Sequence, residues 1–164
     1  MARGWWAEKI GRTRRYVRAA VSSRERESLA GWLEPAQLAL FDAMHVADRR
    51  HGLDVVAHLE RCGVVDRDLL VAGLLHDCGK GSRVRLVHRV AWSLGQRYGG
   101  WIWSASEVLP TFRRGLASLR GHAERSAELA RRAGCAERTV DLIRHQESPL
   151  DADGSLLLEA DEAS

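Results

Sequence analysis

A histidine and an aspartate stand side by side at the end of the most apolar stretch of this chain. Residues 69–75 read Leu-Leu-Val-Ala-Gly-Leu-Leu, and His76 and Asp77 follow directly. Such a run predicts a buried helix, and burying two polar side chains costs several kcal/mol unless partners satisfy them. A divalent metal ion accepts an imidazole and a carboxylate at once. The pair therefore restricts the chain to folds that bring further polar groups to the end of this helix.

The composition favours an all-α domain. Ala, Leu, Arg and Glu dominate the 164 residues, and only three prolines interrupt them, which is typical of helical proteins. We expect a basic helical extension at 1–34 and one helical domain at 35–164. No apolar run reaches the length of a transmembrane span. Three cysteines without close pairing indicate a reducing, cytoplasmic location.

The spacing of apolar residues predicts the individual helices. Pro35 is placed to open a long helix that ends near Cys62, and Asp66 is placed to cap the helix that leads to His76. His51 shares a face with Phe41, Met44, Asp48 and Val55, which recur at three- and four-residue spacing, so it should point inward. The remaining helices are expected at 4–21, 83–98, 121–133, 136–146 and 155–162.

Charge is strongly segregated along the chain. Residues 1–26 sum to +6, 27–80 to −4, 81–120 to +6 and 121–164 to −5. Basic blocks beside an acidic metal site suit a phosphorylated substrate, although a solvated surface is the better interpretation for any single arginine. The N-terminal helix, with Trp5 and Trp6 among arginines, is suited to peripheral docking on a membrane or a protein. We favour its packing on its own domain, because its apolar spacing is irregular.

Four further polar residues fall at inward positions, each on a different predicted helix. They are His51, His122, His145 and Asp161. Helix bundles build metal sites in this way, with one or two inward ligands from each helix. Each residue alone is a weak signal, because a single histidine on an apolar face is more often structural. Their joint occurrence with His76 and Asp77 predicts a metal centre.

The order of these residues resembles that of the HD-domain phosphohydrolases. Leu-Leu-His-Asp-Cys-Gly-Lys at 74–80 is similar to the central signature of that family, and the resemblance covers roughly 36–162. Arg50 to Leu53 resembles its first-histidine motif, and Leu158 to Asp161 its last-aspartate motif. Gln146 stands where many two-metal members have a second histidine. The resemblance implies an HD-domain helical bundle and a small single-domain enzyme that hydrolyses a nucleotide or a related phosphate mono- or diester.

The resemblance also implies roles for individual residues. Asp77 would bridge two divalent ions and take part in catalysis with Lys80. The ions would be Fe, Mn, Zn, Co or Ni, held by the six proposed ligands His51, His76, Asp77, His122, His145 and Asp161. Lys80 and Arg83 would bind the substrate phosphate, although Lys80 suits a helix C-terminus equally well. Asp48 is placed to orient a ligand imidazole.

Two alternatives stay open at this point. A one-metal enzyme would use His51, His76, Asp77 and Asp161 and leave His122 and His145 structural or in contact with phosphate. A non-catalytic member of the same fold would serve as a ligand-sensing or interaction module. The oligomeric state is not indicated by the sequence.

Overall fold

The computed structural model describes residues 18–81 and 121–164. These residues form seven α-helices and one short 3-10 turn, Cys78–Lys80, without any strand, so the all-α prediction is confirmed. The helices are α1 Ser23–Leu29, α2 Pro35–Ala43, α3 Val46–Arg61, α4 Arg67–Leu75, α5 His122–Arg132, α6 Glu137–Arg144 and α7 Ala152–Ala163. The predicted helix at 83–98 and nearly all of that at 4–21 lie outside the described residues.

The prediction of one helix from Pro35 to Cys62 is wrong, because two helices occupy that stretch. Met44 and His45 have extended backbone, with ψ of 154° and 143°. Nδ1 of His45 accepts a hydrogen bond at 3.2 Å from the backbone amide of Ala47, which caps the start of α3. Pro35 does open α2 as predicted. The chain therefore turns at 44–45 before the helix that carries His51.

Two other helix starts can be compared with their predictions. Asp66 caps α4, since its carboxylate accepts a hydrogen bond at 2.9 Å from the amide of Leu69. The last helix begins at Ala152 instead of Ser155, because Asp151 caps it by accepting from the amide of Gly154 at 2.7 Å. The earlier start adds almost one turn before Asp161.

Helix α4 lies at the centre of the fold. It packs against α2, α3, α6 and α7, and six of its nine residues are buried. Phe41, Leu59, Ile143 and Leu157 are buried around it. Burial on all sides explains why the sequence of α4 is apolar throughout rather than amphipathic. Among the helices described, none is both long and apolar enough to cross a membrane.

The described end of the N-terminal extension packs on the same core. Leu29 and Leu33 are buried in the cluster that surrounds α4. Ion pairs join Arg26 to Asp42 and Arg50 to Glu25. Helix α1 is therefore fixed to both α2 and α3.

Two glycines allow the backbone to come close to the end of α4. A β-carbon on Gly52 would lie 2.4 Å from the carbonyl oxygen of Leu74, so α3 and α4 touch through backbone beside His51. A β-carbon on Gly79 would lie 2.5 Å from the amide of Ser126 and 2.6 Å from the carbonyl oxygen of His122. Only glycine fits such approaches. They bring the helices that carry His51 and His122 close to His76 and Asp77.

Candidate metal centre

The His76 ring is held in one orientation at the end of α4. Its Nδ1 lies 2.9 Å from the carbonyl oxygen of Gly73. A carbonyl only accepts, so Nδ1 carries a proton and donates it. In the neutral ring, Nε2 then keeps its lone pair and faces the neighbouring carboxylates. Gln146 also fixes the backbone here, because its Nε2 donates to the carbonyl oxygen of His76 at 3.2 Å.

Five side chains meet in a continuous series of contacts. His51 Nε2 donates to Asp161 Oδ1 at 2.6 Å, and the same oxygen lies 3.4 Å from His76 Nε2. His76 Nε2 lies 3.5 Å from Asp77 Oδ1, which in turn lies 3.7 Å from His122 Nε2. Helices α3, α4, α5 and α7, with the turn after α4, thus bring five of the six predicted ligands together.

Two atoms at the middle of this series have no hydrogen-bond partner among residues 18–81 and 121–164. His76 Nε2 and Asp77 Oδ1 are both buried, and neither makes a hydrogen bond of acceptable geometry. Buried polar atoms are almost always paired. Nitrogen and oxygen ligands lie about 2.0–2.2 Å from a Zn²⁺ ion, so neighbouring ligand atoms stand roughly 3–3.5 Å apart. The 3.5 Å between these two atoms fits that spacing.

One subset of the series has the geometry of a metal site. The ligand atoms of His51, His76 and Asp161 all lie within 4.8 Å of one another. The two imidazole rings meet edge to face, with centroids 5.2 Å apart. Three helices contribute one ligand each, so these three residues could hold a metal ion.

The electrostatics of the centre favour charged carboxylates. Burial alone would raise the pKa of Asp77, but Lys80 and the neighbouring imidazoles hold that pKa well below its usual range. Burial opposes the charge of Asp161 as well, yet the hydrogen bond from His51 and the nearby His76 imidazole keep its pKa far below normal. Burial would lower the pKa of His76, and the charges of Asp77 and Asp161 outweigh it and raise that pKa to about 9. The carboxylates therefore provide the negative charge that attracts a cation.

The turn after α4 is anchored to α5. The amide of Gly79 donates to Ser126 Oγ at 2.8 Å, and Arg125 Nε donates to the carbonyl oxygen of Gly79 at 3.1 Å. His122 opens α5, and its Nδ1 lies 3.8 Å from Glu147 Oε1. The Lys80 ammonium forms an ion pair with Asp77 Oδ2. This anchoring fixes Asp77, Lys80 and His122 relative to one another.

The other residues predicted for the site are not among the five side chains of this series of contacts. His145 caps the end of α6 and is half-buried. It does not belong to the group of ligand atoms found among the described residues. Asp48 is buried, 3% exposed. Arg83 lies outside the described residues, so its predicted contact with phosphate stays a prediction.

Sequence reasoning missed the residues that support the centre. No ligand pattern in the sequence marks the four residues that do so, which are Ser126, Gln146, Gly52 and Gly79. A buried serine four residues after a ligand histidine, on the same helical face, is a signal that could have pointed to Ser126. The glycines gave no such signal, because their role depends on backbone from another helix.

A comparison of the chain with protein-family models, with curated proteins and with solved structures finds no match. The geometry of the five-residue series therefore carries the functional argument.

Proposed function

We propose that this chain is a metal-dependent phosphohydrolase of the HD-domain kind, acting on a nucleotide or a related phosphate ester. The observation that carries the proposal is the pair of unpartnered buried atoms, His76 Nε2 and Asp77 Oδ1, which face each other at 3.5 Å. A fold keeps such atoms when a ligand satisfies them. The resemblance at 74–80 supplies the reaction class.

The residues present fit a divalent metal ion. His51, His76 and Asp161 would hold it, with Asp77 Oδ1 on the adjoining side. Mixed imidazole and carboxylate ligands suit Fe, Mn, Zn, Co or Ni. When bound, such an ion lowers the pKa of a coordinated water and polarises a phosphoryl oxygen.

The protein's own side chains would orient the substrate around this centre. The Lys80 ammonium is less buried than the carboxylate it contacts, with 17% of its side chain exposed against 1% for Asp77. It is therefore a cation, within the described residues, that can meet a phosphate entering from solvent. His122 is also partly exposed, at 12% of its side chain, and would offer a further donor.

The first test is whether metal binding and hydrolysis depend on the same histidine. We expect purified protein loaded with Mn²⁺ to hydrolyse p-nitrophenyl phosphate or bis-p-nitrophenyl phosphate, followed by a screen of nucleotides and cyclic dinucleotides. The variant His51→Gln should lose at least about tenfold in metal affinity, because one of three ligands is gone. Asp77→Ala should abolish both metal binding and hydrolysis.

The matched control is His58→Gln, two turns along the same helix and outside the series of contacts. It should retain metal and activity. Full activity in Asp77→Ala would contradict the proposal. A protein that binds metal but hydrolyses none of the esters would instead be a binding module.

The proposal has two forms that differ in the number of ions. In the two-ion form, Asp77 gives one carboxylate oxygen to each ion, and His122 and His145 complete the second position. In the one-ion form, Asp77 needs to give only Oδ1. The surroundings of the other oxygen distinguish the two forms.

A further inference from the structure

The two oxygens of Asp77 have different surroundings. Oδ1 is buried and makes no hydrogen bond within the part of the chain that the structure describes. Oδ2 is in contact with the Lys80 ammonium. A carboxylate that gives one oxygen to each of two metal ions needs both oxygens to be accessible. In this protein, one oxygen is available and the other already has a cation.

Lys80 is held at that oxygen by the backbone as well as by charge. Its own amide donates to the carbonyl oxygen of Asp77 at 3.0 Å. The preceding residue, Gly79, is anchored to Ser126 at 2.8 Å. Because these two hydrogen bonds fix the backbone of the turn, the α-carbon of Lys80 is held close to Asp77, and its side chain reaches Oδ2 without a change in the backbone.

The ligands that a second ion would require are only partly assembled. His122 Nε2 lies 3.7 Å from Asp77 Oδ1. His145 caps α6 and contributes no atom to the ligand group. Within 18–81 and 121–164, one group of three residues has the geometry to hold an ion, and it lies on the Oδ1 side.

We propose that the Lys80 ammonium takes the place of a second metal ion and limits the centre to one divalent cation. The ammonium beside Oδ2 repels a dication from that oxygen. It also supplies the positive charge that a second ion would bring to the substrate phosphate. This inference rests on the proposed function for the existence of the first metal ion. It concerns the number of ions, which the proposed function leaves open.

The test is a count of bound Mn²⁺ in three proteins dialysed against excess Mn²⁺. Wild type and Lys80→Arg, which keeps the charge, should each contain one Mn²⁺ per chain by elemental analysis. Lys80→Met removes the charge and should contain two, because Oδ2 is then free and His122 lies beside the same carboxylate to serve as a second protein ligand. Electron paramagnetic resonance should show an isolated Mn²⁺ in the first two proteins and a spin-coupled pair in Lys80→Met.

The possible outcomes separate this inference from the proposed function. Two Mn²⁺ in the wild type, or one in folded Lys80→Met, would overturn the role of Lys80 and leave a metal enzyme intact. No Mn²⁺ in the wild type would overturn both. If circular dichroism shows that Lys80→Met is unfolded, Lys80→Gln takes its place, because its amide is polar and uncharged.

Discussion

At the scale of single residues, two glycines decide how closely backbone approaches the His76–Asp77 pair. Gly79 sets how closely α5 can approach the turn, because a β-carbon there would lie 2.5 Å from one backbone atom of α5 and 2.6 Å from another. Backbone cannot move aside as a flexible side chain can. The glycine is therefore part of the centre although it supplies no ligand.

The variant Gly79→Ala should destabilise the protein by about 1–3 kcal/mol, the usual effect of overpacking a close contact. The free energy of unfolding in urea measures this change. Gly121→Ala is the control, because the nearest atom to its β-carbon would be the flexible end of Arg125 at 3.7 Å. Equal stability of the two variants would show that the turn and α5 separate easily.

The sequence predicts some of these residues and not others. His76 and Asp77 are recognisable because a polar pair ends an apolar run. Gly52 and Gly79 are not, because a glycine in a helix or turn looks the same whether or not another backbone lies against it. The close approach of two backbone segments is a tertiary contact, and a single sequence does not show which segment lies against a given glycine.

At the scale of helices, the break between α2 and α3 shows what periodicity cannot detect. One face continues at three- and four-residue spacing through Phe41, Met44, Asp48, His51 and Val55, so the pattern predicts one helix. The break at 44–45 contains neither glycine nor proline, and His45 caps α3 in place of the usual serine or aspartate. Both helices still turn the same face inward, with Phe41, Met44 and Val55 all buried.

Helix α1 offers a pH test of how the extension is held. Glu25 accepts hydrogen bonds from Arg50 and from the amide of Ser22, and these lower its pKa from 4.5 to about 2. A lowered folded-state pKa means that the stabilisation is complete above 4.5 and is lost as the pH falls toward 2. The free energy of unfolding of Glu25→Gln should therefore be about 1 kcal/mol lower than that of the wild type at pH 7. This is the usual effect of losing an exposed ion pair together with a helix cap.

Thermal unfolding from pH 7 to pH 2 measures the effect. The difference between wild type and Glu25→Gln should shrink as the pH falls below 4.5. Glu27→Gln, an exposed change on the same helix, should stay close to wild type throughout. A constant difference at all pH values would mean that the charge of Glu25 is not what holds α1.

At the scale of the whole molecule, the candidate ligands join distant parts of the chain. His51 and Asp161 lie on α3 and α7, and His76 is the C-cap of α4. An ion that binds only the folded protein stabilises it by about 2.7 kcal/mol at a hundred times its Kd. We expect Mn²⁺ to raise the Tm of the wild type, with a smaller rise for Asp161→Asn.

Glu159→Gln is the matched control for that experiment, since Glu159 is exposed on the same helix. Its Tm should rise with Mn²⁺ as much as that of the wild type. An equal rise in Asp161→Asn would place the ion elsewhere and contradict the proposed ligand set.

The all-α architecture was predictable because composition and apolar spacing act over many residues. The convergence of His51, His76, Asp77, His122 and Asp161 was anticipated from their inward positions on separate helices. The placement of His145 was not, because α6 ends at Arg144 and helical periodicity no longer sets the direction of the next side chain. The contact between Lys80 and Asp77 depends on a 3-10 turn, which has no distinctive sequence pattern.

The hydrogen bond between His51 and Asp161 closes a segment of 110 residues. Contacts of such long range usually form late in folding, after shorter loops have closed. A ligand that needs this contact stabilises the folded state but hardly the folding transition state. It therefore lowers the unfolding rate more than it raises the folding rate. Bound metal should therefore act mainly on the lifetime of the folded protein, and unfolding rates with and without Mn²⁺ would reveal it.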